Sequence, residues 1–172
     1  SGRFTSSSKN LPSTNTTLNN VDAPAWQAAG VPYVVLGQVK PSASGGYDVQ
    51  YQLYDVEKQQ FLLSEMLTVP ASRVRQAGHM ISDAIFHALT GIAGDFSGRI
   101  AYVLRNPATP AQRYTLQIAD TDGEQPRTVL TSRDPILSPA WTPDAKKIAY
   151  VSFETKRPAI YLQDLATGQR ET

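Results

Sequence analysis

Ser138-Pro139-Ala140-Trp141-Thr142-Pro143-Asp144-Ala145-Lys146-Lys147-Ile148-Ala149-Tyr150-Val151 decides how this chain is read. Its last four residues occur once before, as Ile100-Ala101-Tyr102-Val103, 48 positions earlier. Downstream of each copy, apolar residues alternate along a strand that runs into an acidic turn closed by glycine. Those stretches are Tyr114 to Gly123 and Ile160 to Gly168. The matched strand, turn and glycine after each copy argue against a chance coincidence of four residues.

A repeat of roughly 40–50 residues carrying several short strands is the mark of a β-propeller blade. The earlier copy has no Ser-Pro-x-Trp segment before Ile100. Its phase therefore makes Ile100 to Thr131 three strands of a closing blade, whose innermost strand would come from the far carboxyl end of a longer chain. Ser138 to Thr172 is then the next blade.

Upstream of the repeat the texture differs. Residues Ser1 to Asn20 are rich in Ser, Thr and Asn and have little to bury, so they read as loop or disorder with Phe4, Leu11 and Leu18 as possible anchors. Asp22 is a candidate N-cap for a short helix that carries Pro24 in its first turn and stops at Gly30. Val31 to Val39 predicts a strand buried on both faces at its middle. After the turn at Pro41 to Gly46, Tyr47, Val49, Tyr51 and Leu53 alternate with polar neighbours, the period of a half-buried strand. Phe61 to Val69 predicts a third strand, and the short connections favour an antiparallel meander. From Ser72 to Leu89 the period becomes helical, with Val74, Ala77, Ile81, Ile85 and Ala88 in one stripe and Gly91 as the stop. The reading is an α+β domain, antiparallel strands covered by a helix, over residues 1–94. An incomplete β-propeller follows over 95–172.

Composition removes several function classes. Sixteen Lys+Arg against fifteen Asp+Glu leave a net charge of +1, which argues against a dedicated nucleic-acid binder or a basic membrane-surface protein. No cysteine is present, so thiolate catalysis, disulfides and cysteine-ligated metals are excluded. The longest apolar run, Val31 to Leu36, is too short to cross a bilayer as a helix. The charged fraction is only 18%, so Ser, Thr, Gln and Asn must supply much of the polar surface.

No catalytic constellation emerges. His79 and His87 lie two helical turns apart rather than at the i, i+4 spacing of paired metal ligands, so they read as helix-surface or packing residues. Gly94-Asp95-Phe96-Ser97-Gly98 lacks the spacing of a nucleophile elbow. Asp120-Thr121-Asp122-Gly123 lacks the later ligands of a calcium loop and reads as a β-turn. Tyr33, Tyr47, Tyr51 and Tyr54 are strand aromatics, placed where aromatics are favoured anyway. Neither a cofactor nor a metal is expected.

The quoted stretch resembles the Ser-Pro-x-Trp-Ser-Pro-Asp-Gly-x-x-Ile-Ala-Tyr repeat of TolB-like propellers, also found in the propellers of some serine peptidases. Trp141 and Asp144 match, Thr142 replaces Ser, and Ala145 stands where that repeat has Gly. A tight turn there needs positive φ, so Ala145 implies a different turn or local strain. Ala25-Trp26, Gly37-Gln38-Val39, Val49-Gln50-Tyr51-Gln52-Leu53, Arg75-Gln76-Ala77-Gly78-His79 and Leu89-Thr90-Gly91-Ile92 resemble the amino-terminal domain of the TolB family. The resemblance covers nearly the whole chain and implies a truncated family member.

It further implies a non-enzymatic periplasmic adaptor of the Tol–Pal system, in which the propeller binds the lipoprotein Pal. TolA contact would lie in an amino-terminal segment before Ser1. No nucleic-acid partner and no membrane insertion are implied. In a propeller the loops entering the innermost strands face one mouth. Arg133, Asp134, Ile136, Leu137 and Ser138, just ahead of Trp141, are therefore the candidate partner-binding residues. The competing reading is the propeller gate of a serine peptidase or other hydrolase, which would need a downstream hydrolase domain.

Overall fold

The structure, a computed structural model, describes residues 4–5, 11–12, 15–106 and 113–172. The loop expected over 1–20 lies outside the described residues at 1–3, 6–10 and 13–14. The chain divides into two compact units, Ser1–Gly94 and Asp95–Thr172.

In the first unit Asp22 caps helix α1 (Ala23–Ala28), its Oδ1 accepting from the Ala25 N–H at 3.3 Å. Gly30 follows at φ 69° and turns the chain into β1 (Tyr33–Pro41). Strands β2 (Tyr47–Asp55) and β3 (Gln60–Val69) complete an antiparallel sheet in the order β1-β2-β3, the expected meander. Gly46, at φ 86°, allows the β1–β2 turn to close against β3. A Cβ there would sit 2.2 Å from the Val69 carbonyl oxygen. Helix α2 (Val74–Thr90) follows and ends at Gly91, whose left-handed φ of 69° lets its N–H bond the His87 carbonyl at 2.8 Å.

Three expectations change here. β2 was expected to be half-buried, yet Gln52, Leu53, Tyr54 and Asp55 are all buried. The sheet is covered on both faces. Helix α2 packs over β2 and β3, while α1 and the segment before it cover the other face. Ala23, Trp26, Val34, Tyr54 and Val56 form that second core. Gln52 is bonded to Asn19 and Ser64, so its burial leaves its amide satisfied. β1, by contrast, was expected to be buried on both faces at its middle. Val34 is buried, but Val35 and Val39 are 53% and 57% exposed, because β1 is an edge strand and α2 packs chiefly over β2 and β3. The stripe on α2 is likewise narrower than its period suggests. Ala77 is buried, Ile81 and Ile85 are half-buried, and Val74 and Ala88 are exposed.

The second unit contains two antiparallel sheets. β4 (Arg99–Asn106), β5 (Arg113–Asp120) and β6 (Arg127–Ser132) form one, in that order. β7 (Ile136–Trp141), β8 (Lys147–Ser152), β9 (Ala159–Asp164) and β10 (Arg170–Glu171) form the other, in the order β10-β9-β8-β7. The sequence repeat is thus a structural one: β4–β5 and β8–β9 are matching hairpins. Each runs into a turn whose glycine, Gly123 or Gly168, has positive φ and donates back to Asp120 or Asp164. Leu116 and Ile118 of the first sheet share one core with Ile136, Ile148, Tyr150 and Tyr161 of the second. The fold is therefore an α+β domain followed by propeller-type blades that do not close a ring.

Candidate functional site

The candidate loop begins where β6 ends. Ser132 Oγ accepts from the Asp134 N–H at 3.1 Å, a local turn that aims the chain toward β7. The turn joining β8 to β9 is built the same way, with Ser152 Oγ accepting from the Glu154 N–H at 3.3 Å. These two segments meet. The Pro135 carbonyl accepts from the Phe153 N–H at 3.2 Å, and Asp134 pairs with Lys156 at 2.9 Å.

The five predicted residues take different places. Arg133 and Ser138 are exposed, and Leu137 is 48% exposed. Asp134 is half-buried and occupied by Lys156. Ile136 is buried at 1% in the shared core, so it supports the loop from beneath rather than offering a surface. Ser138 has φ 50° at an irregularity in the β7–β8 pairing between Leu137 and Ala140. A non-glycine residue in that region is strained, and the bulge redirects the strand after Leu137.

Sequence reasoning missed the second half of this surface. Glu154 and Lys156 lie about twenty residues after the candidate loop and become its neighbours only through the β7–β8 hairpin. The one available signal was the repeated Ser-x-acid pattern, Ser132-Arg133-Asp134 and Ser152-Phe153-Glu154. Beneath the turn lies a polar network. Arg170 bonds Glu154 at 3.1 Å and lies 5.3 Å from the centre of the Tyr161 ring. The Tyr150 and Tyr161 rings stack, and the Tyr150 hydroxyl donates to Gln163 Oε1 at 3.0 Å. Tyr161 and then Arg170 hold the Glu154 carboxyl below its ordinary range. Tyr150 and Glu154 raise the Arg170 guanidinium.

At the other end of β7 the Asp144-Ala145 turn adopts the strained alternative. Ala145 has φ 53°, and its N–H donates to the Thr142 carbonyl at 2.8 Å. The Thr142 hydroxyl and then the Lys146 N–H lower the Asp144 carboxyl. Arg99 lies 4.9 Å from the Trp141 ring centre and donates to the Ala145 carbonyl at 3.4 Å, tying the two sheets together. Arg127 to the Leu165 carbonyl and Gln163 to the Val129 carbonyl, both 3.3 Å, add two more ties.

The other candidates resolve quietly. His79 is half-buried and His87 exposed on α2. Asp120 to Gly123 is a turn closed by the Gly123 N–H on the Asp120 carbonyl at 2.8 Å. The four tyrosines do not converge. Tyr51 is buried and donates to Glu65, Tyr54 packs edge-on against Phe61 on the opposite sheet face, and Tyr33 and Tyr47 are exposed at the ends of their strands. Burial and then Glu65 push the Tyr51 hydroxyl above its ordinary range.

Comparison with known proteins covers 99% of the chain. The family described as "TolB beta propeller domain" matches residues 86–172, and "TolB amino-terminal domain" matches residues 1–62. The chain is 81% identical over 171 residues to the Tol-Pal system protein TolB of Acinetobacter baylyi and 46% identical over 171 residues to that of Methylococcus capsulatus. In both cases 99% of this chain and 40% of the relative are covered, so the chain spans well under half the length of these proteins. The crystal structure of TolB from Acinetobacter baumannii superposes with a TM-score of 0.93 at 79% identity, over 99% of this chain and 42% of that one. With the blade repeat, the helix-covered meander and both family matches in one order along one polypeptide, the chain belongs to the TolB family.

Proposed function

We propose that this chain is part of a periplasmic adaptor of the Tol–Pal system, acting by protein–protein binding rather than by catalysis. Its partners are the lipoprotein Pal and the Tol proteins, and its role is to maintain envelope integrity and support division. Residues 1–94 are the later part of an amino-terminal domain, and 95–172 open a propeller. The observation that carries the reading is the pair of adjacent family matches over residues 1–62 and 86–172. The amino-terminal match favours the adaptor over the hydrolase-gate alternative, which shares only the propeller repeat.

The partner surface is the end of the blades where residues 132–138 meet the turn after β8. Arg133, Leu137 and Ser138 offer contact atoms, Asp134 orders the loop through Lys156, and Ile136 anchors it from the core. TolA contact is assigned to an amino-terminal segment outside these 172 residues. The mechanism is physical: a rigid scaffold presents loops, and exchange of partners changes which envelope layers are linked. Calorimetric titration with Pal tests it. A full-length family member should bind, and this chain should bind far more weakly, since it holds few of the propeller loops. Failure of the full-length protein to bind overturns the adaptor reading, and equal affinities overturn the claim that the remaining loops matter.

A further inference from the structure

The second unit has two chemically different ends. At one end Arg99 meets the Ala145 carbonyl and Arg127 meets the Leu165 carbonyl. That end carries the carboxylates of Asp120, Asp122, Glu124, Asp144, Asp164 and Glu171, the last paired with Lys147 at 3.0 Å, against the basic groups of Arg99, Arg127, Lys146 and Lys147. At the other end Asp134 meets Lys156 and Pro135 meets Phe153. β4 leaves the first end at Arg99 and, at about 3.3 Å per residue, carries Arg105 roughly 20 Å away to the second.

Both acids at this second end are already taken, Asp134 by Lys156 and Glu154 by Arg170. Arg105, Arg133 and Arg157 are exposed there, and their side chains make no hydrogen bond or ion pair among the described residues. Among the described residues, three guanidinium groups without a carboxylate partner thus stand on one end of a chain whose net charge is only +1. A planar guanidinium with all its donors free matches carboxylate geometry better than an ammonium does.

We propose that this end of the blades recognises an acidic protein surface, with Arg105, Arg133 and Arg157 taking carboxylates of the partner. The inference rests on the adaptor reading for its biological setting and adds to it the chemistry of the partner. Charge of one sign on one end steers encounter and fixes which way round the partner docks. The contact weakens as salt rises, because exposed pairs are screened within about 8 Å at physiological ionic strength.

The test titrates the chain with a fluorescent Asp/Glu-rich peptide and with its Asn/Gln counterpart, in about 20 mM and about 150 mM salt. The acidic peptide should bind at least tenfold tighter than the amide peptide, with the preference shrinking in salt. R105Q/R133Q/R157Q should abolish it. K40Q/K58Q/K146Q, which removes the same charge elsewhere, should retain it. Equal binding of the two peptides, or equal loss in both triple variants, overturns the proposal. A parallel titration of a full-length family member with Pal keeps the two readings apart. Pal binding without acidic preference sinks only this inference, and acidic preference without Pal binding sinks only the adaptor reading.

Discussion

The two units bury their sheets in opposite ways. In the first, one sheet is enclosed between helices, so its central strand β2 has its C-terminal half buried on both faces. In the second, two sheets share a single core, and each keeps an outer face open. Leu137, Val151 and Ile160 form a row across the β7–β8–β9 register, with Leu137 48% and Ile160 68% exposed. Ile100 and Leu104 are similarly exposed on β4. A blade is a repeat unit whose faces are buried by neighbours. The difference teaches that the first unit encloses the second half of β2 between elements adjacent to it in sequence, whereas the blades leave an apolar row open on the β7–β8–β9 face.

Core truncation breaks that comparison most severely. Ile148→Ala, at a fully buried position shared by both sheets, should cost about 2–5 kcal/mol and remove amide protection from residues after Gly94. Leu53→Ala should cost a similar amount in the first unit. Hydrogen exchange on the unaltered chain should already show faster exchange after Gly94 than across Tyr33 to Thr90. Uniform protection in a monomer would contradict the distinction.

A smaller and opposite effect is expected at the strained turn. Ala145→Gly relieves a positive φ of 53°, and should stabilise the second unit by about 1 kcal/mol, read as a rise in its melting midpoint. No change would mean that the Thr142 and Asp144 hydrogen bonds, not the backbone strain, set the turn's stability.

The smallest effect is acid sensitivity. Glu154 is held below its ordinary pKa by Tyr161 and Arg170. A lowered folded pKa stabilises the fold above the unfolded value, and that contribution is lost as pH falls through the folded one. The second unit should therefore weaken modestly below about pH 4.3, the ordinary glutamate value. Glu154→Gln should flatten that part of the pH–stability curve. An unchanged slope in the variant would remove Glu154 from the account.

Much of this was legible from residues alone, and the reasons are local. The period of Val74, Ala77, Ile81 and Ile85 announces α2, because a helix must repeat its apolar face every three to four residues. Gly91 and Gly30 mark helix ends, since the left-handed conformation there suits glycine. The Ile-Ala-Tyr-Val repeat announces matching hairpins because each blade solves the same packing problem. Ala145 announces strain because its position in the repeat requires positive φ.

Other features depend on what comes to lie against a side chain, and no local pattern records that. β1 has the more continuous apolar run, yet β1 is an exposed edge and β2 a buried centre, because β1 has a strand neighbour on one side only and α2 packs chiefly over β2 and β3. Ile136 and Leu137 are adjacent apolar residues of one candidate loop, yet strand alternation sends the first into the core and leaves the second in solvent. Arg105, Arg133 and Arg157 are scattered along a nearly neutral sequence, and only antiparallel folding gathers them at one end while sending Asp120, Asp144 and Asp164 to the other. Periodicity, turn chemistry and repetition were the sequence's to determine, because they act within a few residues. Coverage, edges and the gathering of charge belonged to the tertiary structure, because they depend on which distant segments become neighbours.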